Sequence, residues 1–186
     1  MAVKTFSQYE TLTAADTNTY LANAGLVYVK SQTIGSGVTS VTVTDAFSAT
    51  YDNYKIIVQG GVCSTETSFS LQMGSTTTGY NYAITYQQYN STAVSGASSS
   101  GAAAAWIEGG RCSTAGINMN VEVFQPFLNL RTGYRSQSID MKPTDGYIVT
   151  GGGVLNDTNS YTSFLVKPNA GTITGGTITV YGYRKA

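Results

Sequence analysis

Between Ile117 and Phe124 the chain reads INMNVEVF. Ile117, Met119, Val121 and Val123 fall on one side of an extended backbone, and Asn118, Asn120 and Glu122 fall on the other. A period of two marks a strand with one buried and one wetted face. Runs of similar character recur along the chain: LVYVKSQTI, VTSVTV, YKIIVQ, SFSLQM, YNYAITYQQY, YRSQSIDM, GYIVTG, YTSFLVK and GTITGGTITVYGY. They are rich in β-branched and aromatic residues and are bounded by turn chemistry such as PTDG at 143–146 and PNAG at 168–171. Many short strands with no helical segment between them predict an all-β fold. The expected architecture is an antiparallel two-sheet sandwich, jelly-roll-like, occupying 26–186 as one domain.

The exception is the start, where LTAADTNTYLANAGLVYV (Leu12 to Val29) carries helix grammar. Thr13 can act as N-cap, Asp16 follows three residues on as the acidic half of a capping-box-like pair, and Gly25 supplies a stop, so a helix is expected over 14–24. Its apolar positions are sparse, and helices of about 12 residues or fewer are marginal in water, so it must dock. Residues 1–25 are therefore expected to form a docking segment, with Phe6, Tyr9, Leu12, Tyr20 and Leu21 as the contacts to a partner or to another copy of the chain.

In 186 residues, ten basic and ten acidic side chains are spread along the chain, and none falls between Thr67 and Ile107. No basic stripe is available to neutralise phosphates or anionic lipid, so neither nucleic acid nor membrane is an expected partner. The N-terminal residues lack the apolar core of a secretory signal, and no run approaches the length of a membrane helix. Charged residues make up 11% of the chain, less than half the usual share of about 25%. A surface of hydroxyls and amides lacks the repulsion that keeps monomers apart, and suits a protein that stays assembled with its neighbours.

Two cysteines, Cys63 and Cys112, are too few for a disulfide scaffold and lack zinc-site spacing. Reduced thiols are expected, with a disulfide between them as the alternative. They sit in an echo, GGVCST at 60–65 and GGRCST at 109–114, attributed to shared turn chemistry rather than to a duplicated domain. GSG at 35–37 and GGG at 151–153 lack the ending of a phosphate loop and are expected as turns or bulges. The uncharged stretch from Ser91 to Ala105 is expected as a surface loop, a strand being the other reading. NDTN at 156–159 matches no full calcium loop and reads as a polar turn. NST at Asn90 and NDT at Asn156 fit the glycosylation pattern but read as ordinary loop residues without a secretory signal.

The chain contains no histidine, which removes imidazole-based nucleophile systems and imidazole metal sites together. Carboxylate pairs of glycosidase type remain conceivable, Glu108 with Glu122 or Asp140 with Asp145. The expectation is nevertheless a non-enzymatic protein with no catalytic residues, no bound metal and no cofactor. Fourteen tyrosines and the single Trp106 serve strand packing and interfaces first; Trp106 is also the candidate for contact with a glycan.

Three segments together carry a resemblance: LTAADTNTYLANAGLVYV with the preceding FSQYE, then FSATYDNYKIIV (Phe47 to Val58), and SFLVKPNAGTITGGTITVYGYRK near the end. They resemble a family of tailed-bacteriophage, cyanophage-like virion proteins, and VEVFQPFLNLRTGY (Val121 to Tyr134) fits the middle of it. The resemblance implies a β-sandwich subunit in the virion, assembled in the host cytoplasm with copies of itself, a trimer being expected. It implies contact with other virion proteins such as the major capsid protein. The absence of a coiled-coil shaft or repeat array favours a capsid decoration or cement protein over the alternative, a tail-fibre component recognising host-surface glycan.

Overall fold

The computed structural model describes residues 7–11, 13–16 and 25–185. A three-residue helical turn, α1 (Ala14–Asp16), precedes twelve strands: β1 (Leu26–Thr33), β2 (Val41–Val43), β3 (Asn53–Cys63), β4 (Thr67–Met73), β5 (Tyr80–Gln88), β6 (Val94–Ala103), β7 (Trp106–Ser113), β8 (Gly116–Phe124), β9 (Gly133–Ile139), β10 (Tyr147–Leu155), β11 (Phe164–Pro168) and β12 (Ile173–Tyr183). The all-β, antiparallel expectation holds. Every strand pairing among the described residues is antiparallel, and all twelve strands belong to one hydrogen-bonded network.

The network forks at β8. One edge of β8 is bonded to β3 from Met119 to Phe124. The other is divided, Gly116–Met119 going to β7 and Val121–Phe124 to β9. From β7 one leaf continues through β4 and β11 to β2; from β9 the other continues through β10 and β5 to β6; from β3 the sheet runs to β12 and β1. The alternation of INMNVEVF explains why β8 can serve as the junction: Ile117, Met119, Val121 and Val123 are all buried, while the residues between them are half exposed.

The core draws on all three branches, including Tyr54, Ile56, Phe69, Leu71, Trp106, Tyr134, Leu155 and Ile178. Trp106 of β7 stacks on Tyr134 of β9 with ring centroids 4.5 Å apart and meets Tyr80 of β5 edge-on at 5.1 Å. Both are favourable aromatic arrangements, and the indole N–H donates to the Asn81 carbonyl at 3.2 Å.

Three expectations change, and a fourth is only partly described. Ser91 to Ala105 is not a loop: Val94–Ala103 forms β6, laddered to β5 from Tyr80 to Gln87. Serine, alanine and glycine have weak strand preference, but here a partner rich in Tyr, Ile and Thr supplies the register. GGG at 151–153 is the middle of β10, not a turn. A Cβ at Gly153 would lie 2.1 Å from the Asn81 carbonyl oxygen, and one at Gly151 would lie 2.7 Å from Ile84 Cγ2, so the glycines are set by close packing. Cys63 and Cys112 are joined in a disulfide with Cα atoms 5.7 Å apart, because the ends of β3 and β7 both turn these side chains into the core. The two halves of the GGxCST echo are thereby the two halves of a cross-link. Finally, of the helix expected over 14–24, Ala14–Asp16 is helical and 17–24 lie outside the described residues.

Candidate functional site

Among the docking contacts expected near the N-terminus, Phe6, Leu12, Tyr20 and Leu21 lie outside the described residues. Tyr9 is 94% exposed and adopts a positive φ of 70°. Trp106 is 0% exposed, with one ring face covered by Tyr134 and its N–H engaged, so it offers no surface to a sugar. Its aromatic character goes into core packing, a consequence of sitting where β7 faces β9 and β5.

The polar chemistry gathers instead at one end of the gap between the leaves. Three segments bring it together: the β3–β4 turn with Glu66, strand β7 with Glu108 and Arg111, and the β9–β10 turn with Asp140, Lys142 and Asp145. Arg111 is the hub. Its Nη2 lies 3.4 Å from Glu66 Oε1 and 3.7 Å from Asp140 Oδ2, and its Nη1 lies 3.7 Å from Glu108 Oε1. The guanidinium carbon stands 4.6 Å from the centroid of the Tyr147 ring, a cation–π distance. Lys142 Nζ is 2.7 Å from Glu66 Oε2 and 2.8 Å from Asp145 Oδ1. The Lys142 backbone N–H donates to Asp140 Oδ1 at 3.1 Å, which turns the chain after β9.

A cleft of about 360 Å³ opens beside this cluster. One wall is charged, from Glu66, Glu108 and Arg111; the other is apolar and aromatic, from Ile84 and Tyr86 of β5, Ala97 of β6, and Tyr147 and Val149 of β10. The register places Val149 opposite Tyr86 and Ile84 opposite Ala97, so that wall is a cross-strand set on one face of three adjacent strands.

Glu108 is 8% exposed, and burial pushes its carboxyl up to about 7, against the opposing pull of Arg111 and of the Ser68 hydroxyl. Among the described residues its Oε2 has no hydrogen-bond partner, and neither has Asp140 Oδ2 or Arg111 Nε. Buried polar atoms are ordinarily partnered, so three orphans around one guanidinium set this cluster apart from the rest of the core.

Of the two carboxylate pairs considered from the sequence, Glu108 with Glu122 separates in space. Glu122 lies between buried Val121 and Val123 and so points to the opposite face of β8. There it accepts hydrogen bonds from Arg135 and from the Tyr183 hydroxyl, which with Arg135 and Lys55 hold its carboxyl below the usual range. It lines a second, polar cleft of about 420 Å³ with Lys55 and Arg135, and Glu108 is not part of that lining. Asp140 and Asp145 do meet in one cluster, bridged by Lys142. The Asp157 oxygens of NDTN accept from the Tyr161 hydroxyl at 2.6 Å and the Asn159 N–H at 3.1 Å, as befits a polar turn.

Arg111, Glu66 and Tyr147 were not singled out by the sequence. The one available signal was the GGRCST echo, which marks Arg111 as the charged residue beside a cross-linked cysteine. No protein-family model matches the chain, and no curated protein or solved structure matches it.

Proposed function

We propose that the chain is a non-enzymatic structural subunit of a tailed-bacteriophage virion, acting as a capsid decoration or cement protein. On this reading the forked sheet closes into a two-sheet, jelly-roll-like sandwich that assembles with copies of itself, as a trimer, and clamps neighbouring subunits of the major capsid protein.

The observation that supports this reading most is strand β6. Among the described residues it is the last strand of its leaf, ten residues long, without charge or proline, and seven of its ten residues are exposed, the other three half-buried. Bare edges of this kind pair with other chains unless charge, proline or a covering element blunts them, so β6 suits a protein whose edge is covered by a neighbour in an assembly. The virion resemblance of the N-terminal, Phe47–Val58 and C-terminal segments points to the same class of protein. The physical action is mass action: a subunit that binds only the assembled shell stabilises it in proportion to RT ln(1 + [L]/Kd) at each site.

Particles stripped of the protein and then reconstituted test the reading. Stripped heads are expected to release their contents at lower temperature than intact heads, with re-addition restoring the difference. Equal stability of stripped and intact heads defeats it.

A second reading, a tail component that meets host-surface glycan, draws on a different feature. Tyr28 and Tyr181 pack edge-on at 6.3 Å on neighbouring strands β1 and β12, and Tyr28 is 60% exposed, a wet aromatic platform on which a sugar ring can stack. Immunogold label confined to the tail, together with glycan-array binding lost in Tyr28→Ala, selects this reading. Label spread over the head selects the first.

A further inference from the structure

The cleft beside Arg111 is short of positive charge. Four carboxylates, Glu66, Glu108, Asp140 and Asp145, share two cations, Arg111 and Lys142. Arg111 meets two of its three carboxylates only at 3.7 Å, too long for a hydrogen bond. Among the described residues, Glu108 Oε2 and Asp140 Oδ2 have no hydrogen-bond donor. Glu108 lines the cleft with 8% of its surface exposed and its nearest cation 3.7 Å away, so the charged wall of the site carries an incompletely matched carboxyl.

The opposite wall narrows the chemistry of what would meet it. Ile84, Ala97 and Val149 present aliphatic surface, and Tyr86 and Tyr147 present rings. A bare inorganic cation gains nothing from such a wall, and a neutral apolar group leaves Glu108 unmatched. A donor-rich cationic head on a hydrocarbon stem satisfies both walls at once, the stem lying along the aliphatic side chains as lysine stems do elsewhere.

We propose that this cleft receives the ammonium group of a lysine side chain carried in by a partner protein, with Glu108 and Glu66 as its counter-ions and Ile84, Ala97 and Val149 lining its stem. Charge complementarity fixes the occupant: the entering cation offsets part of the excess of four acids over two bases, and neither arginine nor lysine of this cluster is free to do so. The inference goes beyond the assembly reading and stands whether the subunit sits on a head or on a tail.

The titratable groups around Glu108 are Arg111 of its own strand, Tyr82 of β5 and Tyr134 of β9, with Glu66 and Asp140 sharing the same guanidinium. With its carboxyl held up to about 7 by burial, Glu108 is mostly protonated at pH 6 and mostly ionised at pH 8. Ammonium binding therefore strengthens as pH rises through neutrality, by about tenfold between those values.

The test is an NMR titration of the isolated full chain with Nα-acetyl-lysine N-methylamide. Spermidine serves as the free-polyamine arm and methyl α-glucopyranoside as the neutral arm. Saturable shifts at Ile84, Ala97 and Val149 are expected from the lysine amide, weakened at least tenfold in Glu108→Gln and unchanged in Glu122→Gln on the far face. Ala97→Leu, on the exposed strand β6, fills the cleft without touching the buried cluster and is expected to abolish the shifts, which keeps the test decisive even if Glu108→Gln unfolds. Absence of saturable shifts, or binding indifferent to Glu108→Gln and Ala97→Leu, overturns the proposal. Tighter binding of spermidine than of the lysine amide at these residues overturns the lysine assignment, and glucoside binding there overturns the cationic one. Stripping and reconstituting particles reads a separate property, so either result can fail without the other.

Discussion

Glu108 shows how one side chain can be costly to the fold. Buried on β7 and only distantly paired with Arg111, it holds its proton more tightly in the folded chain than in the unfolded one. For an acid whose folded pKa is raised, stability is fully present below the unfolded pKa, near 4.5, and declines as pH rises through the folded value near 7. The wild type is expected to lose roughly 3 kcal/mol across that window relative to Glu108→Gln. Urea denaturation at pH 4.5, 6 and 7.5 measures this; parallel pH profiles for the two proteins would contradict it. Trp106 illustrates the opposite case. It was legible as an aromatic of interest, but its partners Tyr80 and Tyr134 lie 26 and 28 residues away along the chain, and periodicity carries no information about which rings meet.

At the scale of elements, strand alternation was readable wherever one face is buried and the other wet, as in β8, and failed where composition and pairing disagree. β6 is the clearest instance: nothing in VSGASSSGAA demands an extended chain until β5 lies beside it. If that strand is an assembly edge, Ser98→Lys is expected to shift the protein to a smaller species in sedimentation velocity while leaving its circular dichroism unchanged. A variant that sediments like the wild type would leave the edge without a role. The disulfide belongs to this scale as well. It ties β3 to β7 across 49 positions of sequence, and closing a loop of that length is worth about 4 kcal/mol through the unfolded state. Cys63→Ala with Cys112→Ala is expected to lower stability by that order in chemical denaturation. Cysteine count alone could not reveal the pairing, because it depends on β3 and β7 both ending over the same patch of core.

Taken whole, the molecule depends on β8, the only described strand bonded to three others. Its central amides, from Met119 to Val123, are flanked by β3 on one side and by β7 or β9 on the other, and their side chains anchor the core. Hydrogen–deuterium exchange is expected to be slowest there and at least a hundredfold faster in β6, whose outer edge pairs with no strand among the described residues. Comparable protection in the two strands would mean that β6 is covered in solution. The cleft beside Arg111 belongs to the same scale: its residues come from the β3–β4 turn, β5, β6, β7 and β10, so no local motif announced it and only the fork brings its walls together.

The pairing order also has a consequence for synthesis. Among the described residues β1 is bonded only to β12 and β2 only to β11, so these two early strands leave the ribosome long before their partners are made. The chain must carry them, unladdered and rich in valine and threonine, until β11 and β12 have been made and can close its sheet only after β12 has emerged. Until then its nascent form exposes unpaired strands and is the one most in need of chaperone cover.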